Sequence, residues 1–285
     1  NNLAKSGKKQ HKMNKSDQKT TKKTIFTTVL FLFVFCVFCQ KKSIFAHFLN
    51  KKGQKEVLFA NNSFKSGETL RYKISYGKKN KRGGLWFAAN ATLNVKDSVI
   101  NDSINVYSIS GYGKTTRLFS LFLKVNHHYK SIINKETLST IESRMNIQEG
   151  KHIDFDHTIV ALDSVLKKSN ANDILGAFYK LRTISEKELN QQDTILFSYY
   201  YNNDIYDSYV VILEQELLKT KFGKINTLKC APLLEKGRMF RENSQAFVWV
   251  TNDEMHIPLK LEIPILVGSI YVTLNSYNQT TFNLN

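Results

Sequence analysis

The sequence predicts an all-β fold: one large curved antiparallel meander forming a barrel or half-barrel, with one packed α-helix. Period-two alternation of apolar and polar residues recurs in one segment after another from about residue 66, and that period marks half-buried strands. Turn residues separate most of these segments, as in NKET, QEGK, YNND, FGK and TNDE, leaving little chain for crossovers. Only NANDILGAFYKLR keeps a convincing helical period. A sheet of about ten or more strands rarely stays flat and open, so it must curl, close or split into layers.

The first strand is ETLRYKISYG, with Leu70, Tyr72, Ile74 and Tyr76 on one face and Arg71, Lys73 and Ser75 on the other. GLWFAANATLNVK repeats the pattern, placing Leu85, Phe87, Ala89, Ala91, Leu93 and Val95 together. The same alternation runs through SINVYSISGYG, FLKVNHHYKSIIN, TLSTIESRMNI, DTILFSYYY, DIYDSYVVILEQE, KINTLKCAP, SQAFVWVTN, IPLKLEI and VGSIYVTLNSY. In the helical segment Ile174, Ala177, Phe178 and Leu181 share a face, and Asn172 or Asp173 is placed to cap the start, where a short polar side chain accepts from free backbone amides. A single β domain over residues 66–279 follows, with a tail at 280–285 and no internal repeat of the kind that builds propellers or solenoids.

Residues 1–46 hold ten of the 41 Lys and Arg and one of the 24 acids, so over half of the net charge of +17 lies in or beside the leader. The rest is spread as single lysines with no arginine-rich helix and no basic run interleaved with aromatics, which argues against a nucleic-acid partner. IFTTVLFLFVFCVFC, residues 25–39, is short of the roughly 20 residues a spanning helix needs and follows Lys15, Lys19, Lys22 and Lys23. That is the form of a secretory signal, expected over residues 13–46 with Met13 as the start, residues 1–12 as a spurious extension and 47–65 as a linker. Ala46, with Ile44 two residues before it, suits a signal peptidase; Phe before Cys36 and Cys39 does not suit lipid attachment. Soluble release, a lipoprotein anchor and a retained anchor are the three outcomes, in that order. All place the domain outside the cytoplasm, periplasmic or associated with an outer membrane, with no membrane span once the signal is removed.

With Cys36 and Cys39 in the leader, Cys230 stands alone in the domain and has no internal disulfide partner. NTLKCAP reads as a strand, so a buried inert thiol is expected rather than a nucleophile. Gly113, Lys114 and Thr115 match the end of a phosphate-binding loop, but its first glycine falls on Ser108, and the motif fails its own requirement. KHIDFDH puts His152, Asp154 and Asp156 on one strand face, a spacing able to gather metal ligands. An ordinary strand explains the same residues, with these three toward solvent and Ile153 and Phe155 toward the core. His127 and His128 are adjacent and face opposite sides. SYYYNNDIYDSYV concentrates tyrosines, which sheets favour for packing. Matches to N-x-[ST] at Asn61, Asn90, Asn101 and Asn278 are of the kind an asparagine-rich chain produces by chance. Neither G-x-S-x-G nor H-E-x-x-H occurs, and no catalytic residue or cofactor is expected.

GETLRYKISYG, GYGKTT followed by FLKV, ILGAFYKLRT, KTKFGKINTLKCAPLLEKGRMF, VWVTNDEMHIPLKLE and ILVGSIYVTLNSY together resemble an uncharacterised bacterial envelope family, a domain of unknown function, over about residues 66–277. The resemblance implies an exported β-rich protein with no assigned reaction, and a turn at GKTT. In outline the expected fold is also similar to periplasmic lipoprotein carriers, where a curved half-barrel with a helical lid shelters acyl chains. The expected function is that of a non-enzymatic envelope protein holding a lipid or other amphipathic ligand in the concavity of its sheet, with Trp86, Tyr107, Phe178, Trp249 and Tyr271 as candidates to line it. The alternatives are an assembly factor that binds an envelope protein partner, and a metal-dependent hydrolase built on KHIDFDH.

Overall fold

The computed structural model describes residues 63–77, 85–169, 171–185, 189, 194–202, 204–233, 245–265 and 268–278. The expected leader with Ala46, Cys36 and Cys39, the extension before it and the tail at 280–285 lie outside the described residues, as does most of the linker. The part of that linker which is described is no linker. Ser63 and Phe64 are fully buried, so the core begins before residue 66.

In chain order the strands are β1 (Thr69–Gly77), β2 (Leu85–Ile100), β3 (Ile104–Thr115), β4 (Val125–Asn134), β5 (Thr140–Glu149) and β6 (His152–Ile159), with the four-residue helix α1 (Arg117–Ser120) between β3 and β4. A 3-10 turn (Val160–Leu162) and α2 (Ser164–Ser169) then lead to the two-residue β7 (Asn172–Asp173) and the helix α3 (Ile174–Arg182). The chain continues through β8 (Thr194–Tyr201), β9 (Asp204–Thr220), β10 (Gly223–Pro232), β11 (Phe247–Thr251), β12 (Pro258–Pro264) and β13 (Ser269–Asn278). All thirteen strands form one sheet in the order β6-β5-β4-β3-β2-β1-β13-β12-β11-β10-β9-β8-β7. Every pairing is antiparallel except the short parallel contact of β7 with β8.

This order is a meander whose two ends have been joined. β1 pairs with β13 along its whole length, so the gap in the sheet does not fall where the domain begins and ends. It falls between β6 and the two-residue β7, where the chain crosses from one sheet edge to the other. Among the described residues β6 has a ladder partner only in β5, and the sheet is curved but not closed. Side chains bridge part of the gap. Asn172 Nδ2 donates to the Leu138 carbonyl at 2.7 Å, and Tyr200 donates its hydroxyl to Ser143 at 3.1 Å.

The concave face is the core. Leu70, Tyr72 and Ile74 of β1 and Ala89, Ala91, Leu93 and Val95 of β2 are all buried on it, as the alternation requires. Phe87 departs from the expected face. A bulge between Ile74 and Ser75 shifts the β1–β2 register there, and one extra residue turns the side chain outward, leaving Phe87 43 % exposed. α3 lies within the concavity, against β3, β4, β7 and β8. Small residues make the room: a Cβ on Gly111 would meet Leu175 of α3 at 3.4 Å and Leu93 at 3.3 Å. Burying Leu175 is worth about 2 kcal/mol, and a Cβ at Gly111 would leave it and Leu93 no slack.

GKTT is not a turn. Gly113, Lys114 and Thr115 end β3 and are paired with β2, so their backbone is strand and no phosphate loop forms. The following residues do open a short helix, α1, capped by Thr116, which accepts from the Phe119 amide.

An apolar cleft between the helix and the far half of the sheet

Asp173 anchors α3. Its backbone is extended, and its carboxylate accepts from the amides of Leu175 and Gly176 at 3.3 and 3.1 Å, satisfying donors that a helix start leaves free. Ser131 and Thr140 donate their hydroxyls to the same Oδ1 at 2.5 and 2.8 Å. Burial raises the carboxyl above its ordinary range, against the pull of these hydrogen bonds. Gly176 belongs to the same knot, since a Cβ there would stand 2.7 Å from Asp173 Oδ1.

Arg182 anchors the other end. It forms a two-pronged ion pair with Glu68, at 2.7 Å from Nη1 and 2.9 Å from Nη2. Nη2 also donates to the Ser63 carbonyl at 3.1 Å and Nε to that of Met255 at 3.3 Å. The guanidinium lies 5.1 Å from the Tyr179 ring centroid. Burial disfavours its charge, but Glu68 outweighs burial and holds its pKa above the ordinary value. The sequence reading missed this pair, whose only signal was a lone acid before β1 and a lone arginine after an apolar helical face.

Held at both ends, α3 packs one side against β3 and β4 and leaves Phe178 and Leu181 toward the opposite half of the sheet. Between them is a cleft of about 160 Å³, whose far wall includes Val210, Leu228, Val248 and Val250. An apolar cavity of roughly this size is large enough to stay dry and take a benzene-sized group. Three polar side chains reach its border, and each is engaged. Arg182 is held by Glu68. His256 Nδ1 lies 2.8 Å from the Arg182 carbonyl, and Tyr72 donates to the Pro258 carbonyl at 3.1 Å; the Lys260 ammonium points to the other face of the sheet. The wall therefore offers hydrocarbon with its polar groups already spoken for.

Of the five aromatics expected to line a ligand site, Phe178 lies on this wall and the other four do not. Val248 and Val250 face the cleft, so the pleat turns Trp249 to the convex side, where Lys260 Nζ sits 3.8 Å from its ring centroid and its indole donates to Glu216 at 3.0 Å. Tyr271 alternates with the cleft residue Val272 in the same way. Tyr107 packs on Phe64 at 5.1 Å, with Lys135 over its ring at 4.8 Å. Trp86 is 58 % exposed at the end of the sheet. Trp249 and Tyr271 cover the outside, Tyr107 packs on the core within the concavity but away from the cleft, and the lining is mostly aliphatic.

Cys230 is buried in β10, on the cleft wall. Burial pushes its thiol up to about 12, so almost no thiolate exists near neutral pH.

KHIDFDH is the reverse of the ordinary strand expected. Asp154 and Asp156 pair with Ile147 and Met145, which are buried on the concave face, while Ile153 and Phe155 are 67 % and 64 % exposed. The open seam explains the inversion, because carboxylates on the inner face of an edge strand still reach water through the gap. Two buried tyrosines feel their charge. Burial first, and the Asp154 charge among others, raise the Tyr129 pKa; burial first, and Asp173 and Asp156 among others, raise that of Tyr200. His152 sits on the same face as the two aspartates, but among the described residues no three His, Cys, Asp or Glu side chains gather for a metal. Tyr199, Tyr200 and Tyr201 of the tyrosine-rich stretch are all buried, and Tyr199 stacks on Tyr206 at 5.3 Å.

The geometry defines a class: a curved β sheet rolled as an open barrel around one internal helix, with an apolar cleft and no assembled catalytic group among the described residues. The chain belongs to the family described as protein of unknown function (DUF3108), whose model matches residues 71–275. No curated protein matches it. Among solved structures it is similar to a β-barrel-like protein of the domain of unknown function DUF1849 from Brucella abortus, at 6 % identity and a TM-score of 0.42, over 75 % of this chain and 98 % of that one. It is also similar to a protein with a YmcC-like fold from Bacteroides fragilis, at 8 % identity and a TM-score of 0.27, over 78 % and 100 % of the two chains. No helix among the described residues is long and apolar enough to cross a membrane.

Proposed function

We propose that this is an exported, non-enzymatic envelope protein that binds an apolar ligand, or the apolar part of an amphipathic one, between α3 and the β8–β13 half of the sheet. The cleft carries the proposal: its wall is hydrocarbon, and every polar group at its border is engaged elsewhere. Sites for small molecules are concave and mostly apolar, with few polar groups to set orientation. This one suits a chain or ring that asks for none. The lysine-rich segment before IFTTVLFLFVFCVFC supports export, since it has the form of a secretory signal.

A second reading rests on β6. Its outer edge has no ladder partner among the described residues, and exposed Ile153 and Phe155 flank it, an arrangement that suits strand addition by an envelope protein. One purification separates the two. The native protein is isolated from envelope fractions and examined for bound lipid and bound protein by mass spectrometry. The cleft proposal expects a co-purifying lipid that is lost in Val250→Trp and kept in Phe155→Lys. A stoichiometric protein with no lipid, lost in Phe155→Lys, would transfer the function to the edge.

A further inference from the structure

We infer that the end of the sheet where β1 gives way to β2, and β3 to β4, docks on the surface of an anionic lipid bilayer. Five large apolar side chains stand out from this end: Trp86 at 58 %, Phe87 at 43 %, Leu118 at 58 %, Leu121 at 78 % and Phe122 at 72 % exposed. They are neighbours by backbone geometry. The Thr116 amide donates to the Ala88 carbonyl at 2.9 Å, which seats α1 beside the start of β2, and no residue of α1 is buried. A turn reading RLFSLF that buries none of its helical residues has not been shaped as core. It projects apolar groups outward from a convex tip, a form that a fluid bilayer accepts without a complementary pocket.

Charge identifies the partner. Residues 69–96 and 103–135, which supply β1, most of β2, β3, α1 and β4, contain no Asp or Glu. Lys73, Lys114, Arg117 and Lys124 are exposed on them, and Lys73 lies 5.7 Å from the Phe87 ring centroid. The β5–β6 turn joins the same end, since the Gly150 amide donates to the Lys124 carbonyl, and it adds exposed Lys151. The acid beside that turn, Glu149, is buried 3.0 Å from His127. An exposed Trp, two Phe and two Leu rimmed by cations match the interface of a bilayer bearing anionic headgroups. The inference does not require the cleft to be occupied, so failure of either leaves the other standing.

The test uses the full chain and vesicles of phosphatidylglycerol with phosphatidylethanolamine, or of phosphatidylcholine alone. Trp86 is the reporter. The other tryptophan, Trp249, is 5 % exposed, and Trp86→Phe provides its blank. The expected result is a blue shift of Trp86 emission and quenching by brominated lipid on anionic vesicles, fading as salt is raised. Leu121→Ser with Phe122→Ser abolishes both signals. Lys114→Gln, Arg117→Gln and Lys124→Gln together weaken them about 100-fold, at about fivefold per cation. These sites are exposed, so the variants fold. Overturning results are unchanged Trp86 emission in a chain that nonetheless pellets with vesicles, which would show attachment by the apolar leader alone; equal insertion into phosphatidylcholine; or insertion unaffected by either set of changes. A protein that shields Trp86 where vesicles do not would also overturn it, and would make this surface a protein interface.

Discussion

Asp173 caps a helix, accepts two buried hydroxyls and remains a carboxyl in a place where burial raises its pKa. Removing it in Asp173→Ala loses the cap and leaves Ser131 and Thr140 without their acceptor, at a cost of about 3 kcal/mol in urea unfolding. Asp173→Asn keeps an acceptor and costs less. The raised pKa fixes the sign of a pH effect: the fold holds the proton more tightly than the unfolded chain does. The stabilisation from this group is therefore full below the unfolded value of about 4 and declines as pH rises through the folded one. The advantage of the wild type over Asp173→Asn should shrink over that window, and a difference that grows with pH would refute the assignment. Cys230 gives a second check. With a thiol near 12, it should resist a disulfide reagent at pH 8 in the native protein and react at once in denaturant. The capping role was legible because Asn-Asp before an apolar helical period is a local signal; the hydroxyls from β4 and β5 were not, because they arrive from far along the chain.

Elements differ in how much of their environment their own pattern reveals. The α3 face was readable from its spacing, and so were the faces of β1 and most of β2. β6 was not, because alternation tells which residues lie together and not which side is the core. A seam beside it let aspartates take the inner face. Trp249 and Tyr271 failed for a related reason, since size suggests a lining while the pleat decides the direction. The Arg182–Glu68 pair tests how α3 is held. Arg182→Met should cost about 3–5 kcal/mol, because it leaves a buried carboxylate uncompensated. Adding Glu68→Leu should recover part of that loss, whereas simple additivity of the two changes in denaturant melts would show that they do not act as a pair.

At the scale of the molecule, the sheet is a meander joined through β1 and β13 and open between β6 and β7. The many strands and short turns made a curved all-β fold legible. The position of the seam was not, because it depends on which distant strands pair, and local patterns carry no record of that. The seam, the internal helix and the aliphatic cleft together make a container whose inner wall is apolar on the β8–β13 side and carries half-buried carboxylates at β6. Ligand binding in that cleft is the central claim, and recovery of bound lipid tests it most directly. The native chain is purified from envelopes without added lipid, extracted and analysed by mass spectrometry beside Val250→Trp. The account predicts a stoichiometric apolar or amphipathic molecule in the first sample and its loss in the second, with the variant still folded; a native protein that carries no such molecule and takes up none when lipid is supplied would contradict it.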